Sequence, residues 1–183
     1  MGLTGAGHSV GTTHLAVWTA NWLTSVRRER TAVLEWNDHG DFEQMRRFVQ
    51  AKSRPDGSWS LLGVDYFPAA ESRELAACMD RGYRRILVDY GVLTEAAMLE
   101  CVRCDQKMLV GSLSEWKAEM FLDAVRGISV QETGWRCAAV FGSEELRRSV
   151  KKELGTAVYR IPYSEDAFAV TGEDLDFFRK WQI

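Results

Sequence analysis

Apolar residues along the chain follow two rhythms, short β-rich runs and longer stretches in which they return every three or four positions. The short runs predict strands at Thr31–Asn37, Trp59–Phe67, Arg85–Tyr90, Lys107–Gly111, Cys137–Phe141 and Ala157–Ile161. The longer stretches predict helices from Thr12 to about Arg28 and at Phe42–Gln50, Glu71–Gly82, Thr94–Cys101, Ser114–Val125 and Ser143–Leu154. Their alternation is the pattern of a parallel sheet covered on both faces. The expectation is a single α/β domain over residues 1–183, a three-layer α/β/α sandwich with a mostly parallel sheet of six or seven strands. Ahead of the first helix only Met1–Thr4 are left for a strand, which leaves open a short first strand or a chain whose natural start lies upstream. At the other end Leu175, Phe178, Trp181 and Ile183 share a side of a short amphipathic helix. Arg179 and Lys180 stand there against Glu173, Asp174 and Asp176, so docking on the domain's own sheet is expected rather than on anionic lipid.

Composition narrows the picture modestly. The chain has 183 residues, 46% hydrophobic and 27% charged, in the ordinary range for a globular protein that builds its own core. A net charge of −3 gives no global attraction to nucleic acid or to an anionic membrane. The densest basic cluster, Arg147, Arg148, Lys151 and Lys152, alternates with Glu144, Glu145 and Glu153 and reads as a solvated helix face. Four scattered cysteines do not make a disulfide framework, and the single C-x-x-C at Cys101 and Cys104 lacks the second pair that a structural zinc site needs. With no secretory leader and no apolar run near the ~20 residues of a membrane span, the expected location is cytoplasmic.

Candidate chemistry is concentrated at residues 5–13, Gly-Ala-Gly-His-Ser-Val-Gly-Thr-Thr. The glycine spacing is that of a phosphate-binding loop, G-x-x-x-x-G-K-[S/T], in which backbone N–H groups cradle the phosphates, a lysine reaches the β and γ phosphates, and a hydroxyl holds Mg²⁺. Gly11 and Thr13 stand at the second-glycine and hydroxyl positions, and Ala6 stands where the first glycine belongs, between Gly5 and Gly7. Thr12 occupies the lysine position. The cradle of Gly5, Gly7, His8, Ser9, Val10, Gly11, Thr12 and Thr13 would meet an anion at a helix N-terminus, where uncompensated N–H groups and the helix dipole favour negative charge.

Four segments taken in order, GAGHSVGTTHLAVWTANWL, TAVLEWNDHGDF, YRRILVDYG and VYRIPYSEDAF, resemble the MinD/ParA-like deviant Walker P-loop ATPases, with the TadZ/CpaE-like pilus-localisation branch the best fit. The resemblance implies a P-loop NTPase fold and an ATP or ADP site with Mg²⁺. It makes Asp89 the Walker B aspartate, with Thr13 and Asp89 at the metal. Glu35 and Asn37, or alternatively Asp38, take the place of the second strand's acidic motif, so Asp89 and Glu35 are the catalytic candidates. Pro162, after Ile161, would lie beside the adenine. A homodimer or a protein partner, and a peripheral membrane location through that partner, belong to the same implication.

Departures from the family pattern bear on activity. The signature lysine falls at Gly7 and the general loop lysine at Thr12. Loss of one cation at a γ phosphate commonly costs several powers of ten in rate, on the scale of the ~10³ to 10⁵ effect of an arginine finger. The reading is therefore a degenerate nucleotide-binding protein or pseudo-ATPase acting as a scaffold or positioning factor through protein association. Two alternatives remain: a slow Mg²⁺-dependent ATPase whose missing charge comes from another residue or a partner, and a DNA-positioning module. His8 and His14 are candidate substitute cations, though histidine is mostly neutral at pH 7.

Overall fold

The computed structural model describes residues 1–128 and 134–181; of the terminal apolar residues, Ile183 lies outside that range. Eight strands form one sheet: β1 Gly2–Gly5, β2 Thr31–Glu35, β3 Trp59–Leu61, β4 Val64–Phe67, β5 Arg85–Val92, β6 Lys107–Ser112, β7 Trp135–Val140 and β8 Val158–Arg160. Seven helices are described: α1 Thr12–Ser25, α2 Asp41–Phe48, α3 Ser72–Asp80, α4 Glu95–Cys101, α5 Ala118–Gly127, α6 Glu144–Leu154 and α7 Leu175–Trp181. The strand order is β3-β4-β2-β5-β1-β6-β7-β8, parallel throughout except for the antiparallel edge pair β3–β4.

The four-residue β1 is the centre of the sheet. It pairs with β5 on one side and β6 on the other, and all four of its residues are buried. One strand more than expected arises at Trp59–Phe67, where Leu62 (φ 51°) and Gly63 (φ 84°) turn the chain back and split the run into a hairpin. Trp59 and Tyr66 pair across it with their rings stacked 4.3 Å apart. Helix α5 starts four residues later than its apolar pattern predicts, because Ser114–Lys117 forms a turn in which the Lys117 and Ala118 amides both donate to the Ser114 carbonyl.

Two cores flank the sheet. On one face Leu3, Val33, Leu87 and Val110 pack under α1, α2 and α7; on the other Ala32, Leu34, Val88 and Leu109 pack under α3, α4, α5 and α6. Helix α1 is buried at every residue from Leu15 to Leu23 because the C-terminal segment covers its outer side. Trp18 stacks on Phe177 with centroids 5.5 Å apart, meets Phe178 edge-on at 4.7 Å, and donates its indole N–H to the Ala169 carbonyl at 2.9 Å. Trp22 stacks on Phe178 at 4.9 Å. Such pairs contribute about 0.5–1.5 kcal/mol each beyond their buried area. The terminal amphipathic helix thus packs its apolar side on α1, and not on the sheet itself as expected, because α1 already covers that face of the sheet. Inside the seam Asn21 donates to the Val17 and Ala167 carbonyls and to Tyr66 Oη.

The remaining bland features fall into place. Cys101 is buried, Cys104 is half-buried with its sulfur 3.8 Å from the Tyr90 hydroxyl, and all four cysteines are free. Burial pushes the Cys101 thiol up to about 12, and no group of three or more metal-ligating side chains occurs among the described residues. Arg147 is 8% exposed, donates to the Gly142 carbonyl and pairs with Glu144, so the basic cluster of α6 is not one continuous surface. No helix among the described residues is long and apolar enough to cross a membrane.

Candidate phosphate-binding site

The glycine segment leaves the C-terminal end of β1, the crevice where open α/β sheets place their ligands. Two amide bonds pin its base: Ala6 N–H donates to the Val110 carbonyl at 2.8 Å, and Leu93 N–H donates to the Gly5 carbonyl at 2.8 Å. Above that base the chain turns through Ser9 in the left-handed region (φ 54°) and Gly11 (φ 89°), the residue at the N-cap of α1. A side chain at position 11 would be strained there, which is the reason for glycine.

Gly11 gives α1 no side-chain cap, and no acidic residue lies in the first turn. The first-turn amides therefore face a cavity of about 340 Å³ without a protein partner of the usual kind. Gly7, His8, Ser9, Val10, Gly11, Thr12, Thr13, His14, His39, Asp41, Gly91 and Val92 line it. Gly5 lies just beneath, where a Cβ would come 2.6 Å from Thr12 Oγ1.

Asp89 sits within β5, three residues before its end, fully buried, opposite Leu3 of β1 and Glu35 of β2. Its Oδ1 accepts the Gly91 N–H at 3.0 Å, while its Oδ2 is buried with no hydrogen-bond partner. Burial raises this carboxyl's pKa, and the Thr13 hydroxyl and Gly91 amide draw it part of the way back. Thr13 Oγ1 donates to Asp41 Oδ2 at 3.3 Å. An orphaned carboxylate oxygen beside a hydroxyl and a second carboxylate is a set of hard oxygen donors, which suits Mg²⁺.

Glu35 is placed differently from Asp89. It is 1% exposed and does not line the cavity; Oε1 accepts the Phe42 amide at 3.1 Å and Oε2 the Ala69 amide at 3.4 Å. Burial raises its pKa, and the Phe42, Ala69 and Asp41 backbone amides oppose the rise. In this position it braces the start of α2 and so sets where Asp41 sits. Asn37 links the end of β2 to β5, donating to the Asp89 carbonyl at 3.0 Å and accepting from the His39 amide at 3.0 Å, while Asp38 is exposed. Trp36 turns its ring toward Tyr90 on the opposite core. Pro162 follows β8 at the other side of the sheet and lies outside the cavity lining.

His14 is inward-facing: its Nε2 is buried without a partner, and burial lowers its pKa, with Asp166 opposing. His8 lines the cavity with its ring 5.7 Å from that of His39. The missing-lysine position is filled from outside, since a Cβ on Gly7 would lie 2.4 Å from Met120 Cε. Sequence reasoning missed Asp41, His39, Met120 and Lys117. Asp41 carries the weak signal of following Gly40, whose positive φ (72°) starts α2; the other three have none.

The order of strands and helices gives the chain the fold seen in solved ParA- and MinD-type proteins. The chain is similar to a plasmid partition protein from Borrelia burgdorferi B31 solved with AMPPNP (12% identity, 98% of each chain covered, TM-score 0.65). It is similar also to the ParA family ATPase of Chlorobium tepidum TLS (14% identity, covering 91% of this chain and 85% of that one, TM-score 0.63). A third match is the Aquifex aeolicus MinC:MinD cell division complex (10% identity, covering 98% and 84%, TM-score 0.65). At these identities the likeness establishes the fold. No family model matches the sequence, and no curated protein matches it significantly.

Proposed function

We propose that this protein is a degenerate member of the ParA/MinD-like ATPases that binds ATP or ADP weakly, turns it over slowly or not at all, and works as a positioning or scaffold factor through protein association. The observation that carries the reading is an uncapped α1 N-terminus that faces a cavity, with the orphaned buried Oδ2 of Asp89 behind Thr13, one of the residues that line it. A merely inherited turn has no need to keep a buried carboxylate oxygen unsatisfied, a state that costs about 1–3 kcal/mol. In this reading the amides of Gly7–Thr13 hold the phosphates, and Thr13 and Asp89, with Asp41, would hold Mg²⁺. The metal would supply charge neutralisation at the phosphates. Glu35 acts as a positioning residue through α2, and the base would extend beyond the cavity toward Pro162.

Weak turnover follows from the absent loop lysines at Gly7 and Thr12. Association is supported by analogy: among the similar structures one is a MinC:MinD complex. By the same analogy the partner would be a second copy of this chain or another protein, and a peripheral membrane location would come through that partner. The slow-ATPase reading is favoured by one specific feature, a lysine from outside the loop that contacts it. A DNA-positioning role finds little support in α6, where Arg147 is committed to intramolecular partners.

Calorimetric titration of ATP and ADP into the purified chain, with and without Mg²⁺, tests the reading. Micromolar to sub-millimolar binding that strengthens with Mg²⁺ is expected. Absence of heat up to millimolar nucleotide would remove the nucleotide from the proposal.

A further inference from the structure

Lys117 ends the turn between β6 and α5, 109 residues downstream of His8. Its ammonium donates to the His8 carbonyl at 2.9 Å and to the Ser9 carbonyl at 3.1 Å. We propose that Lys117 is the cation of the phosphate loop, a positioning residue that supplies from α5 the charge and the bracing that a loop lysine supplies elsewhere; the proposal deepens the nucleotide-binding reading and rests on it.

Three observations converge. First, the two positions where a lysine would stand inside the loop are Gly7 and Thr12, neither of which carries a cation, and the end of the Met120 side chain, from the same helix that Lys117 introduces, occupies the space beside Gly7. Second, in a trans peptide the C=O and N–H point in opposite directions. Drawing the His8 and Ser9 carbonyls onto Lys117 therefore presents the Ser9 and Val10 amides on the other side of the loop, the orientation that an anion cradle requires. Third, Ser9 holds a left-handed conformation that non-glycine residues rarely adopt, and its own carbonyl is one of the two that Lys117 grips. An ammonium has three donors, and two are spent on the loop. Lys117 stands on the carbonyl side of the loop, opposite the cavity, so its positive charge acts on a bound phosphate through the loop rather than by contact.

The test compares the full chain with Lys117→Gln, which keeps a hydrogen-bond donor but removes the charge, and Lys117→Arg, which keeps the charge. Affinities for ATP and for inorganic tripolyphosphate are measured by calorimetry across a salt series, and each protein's thermal shift is read against its own ligand-free midpoint. The expected result is that Lys117→Gln binds both probes about tenfold more weakly, with a shallower dependence on salt, while Lys117→Arg stays within about threefold of the parent. Unchanged affinity and salt dependence in Lys117→Gln overturns the proposal. Equal losses in both variants with an unchanged salt dependence also overturn it, because they mean that only the shape of the lysine matters. If the parent chain binds tripolyphosphate but not ATP, the nucleotide reading fails and the Lys117 comparison is decided on tripolyphosphate alone. If it binds neither, both are overturned.

Discussion

Asp89→Asn separates a metal ligand from a structural carboxylate. The asparagine Oδ1 can keep the 3.0 Å bond from the Gly91 amide, and its NH₂ takes the place of the orphaned Oδ2 with the Thr13 oxygen nearby as acceptor. The substitution removes a buried charge and one unsatisfied acceptor, so the ligand-free variant should be more stable than the parent at pH 7 by about 1–3 kcal/mol. For a chain of this length that corresponds to about 2–12 °C in midpoint. Burial raises the Asp89 pKa above its unfolded value. Its contribution to stability is thus fully present below the unfolded carboxylate pKa and is lost as pH rises through the folded one. The gap between variant and parent should therefore open as pH is raised from about 4 to 7. Glu35, also raised by burial, is present in both proteins and cancels. Mg²⁺ with nucleotide reverses the order: at a hundredfold excess over Kd the parent gains about 2.7 kcal/mol, and the variant gains much less. Urea or thermal unfolding at pH 4, 5, 6 and 7, with and without Mg²⁺ and ATP, reads all of these. A variant less stable than the parent at neutral pH, with no change in its response to Mg²⁺, would refute the reasoning and make Asp89 a strut of the Gly91 turn.

Other consequences are more local. Gly111→Ala would set a Cβ 2.0 Å from the ring of the fully buried Phe121, which has no room to retreat, and should cost about 1–3 kcal/mol or more in urea unfolding. Trp18→Ala empties the centre of the α1–α7 seam and should cost about 3–5 kcal/mol, with the C-terminal segment becoming sensitive to limited proteolysis; an unchanged digestion pattern would mean that α7 is held elsewhere. Gly7→Lys displaces only the flexible end of the 38%-exposed Met120 side chain and should change urea unfolding by less than about 1 kcal/mol; a larger loss would mean that Met120 cannot move aside. Thr13→Ala should weaken Mg²⁺-dependent nucleotide binding while leaving unfolding at pH 7 within about 1 kcal/mol, since the partly buried Thr13–Asp41 bond is long.

Much of the fold was legible in the sequence because periodicity is a local property. The strands and helices of the alternating pattern occur where residue spacing puts them, and the glycine segment opens α1 at Thr12 as its spacing requires. The run Trp59–Phe67 was misread as one strand because its apolar content is continuous, and only the positive φ at Leu62 and Gly63 turns it into a hairpin. The four residues before the loop looked like a stub, yet central strands need only two neighbours, and β5 and β6 supply them.

The chain by itself determined an alternating α/β fold, a glycine loop at a helix start without its lysines, and an amphipathic C-terminal helix. Tertiary structure decided that Asp41 lines the cavity while Glu35 and Asp89 are buried behind its lining. Glu35 and Asp89 are paired on neighbouring strands, but the amides of Phe42 and Ala69 bond both oxygens of the first, while one oxygen of the second has no hydrogen-bond partner. It decided also that Asp41 and Lys117 join the loop. Charge and hydrogen bonding act across space, over 28 residues from Thr13 to Asp41 and 109 from His8 to Lys117, so no local pattern records them.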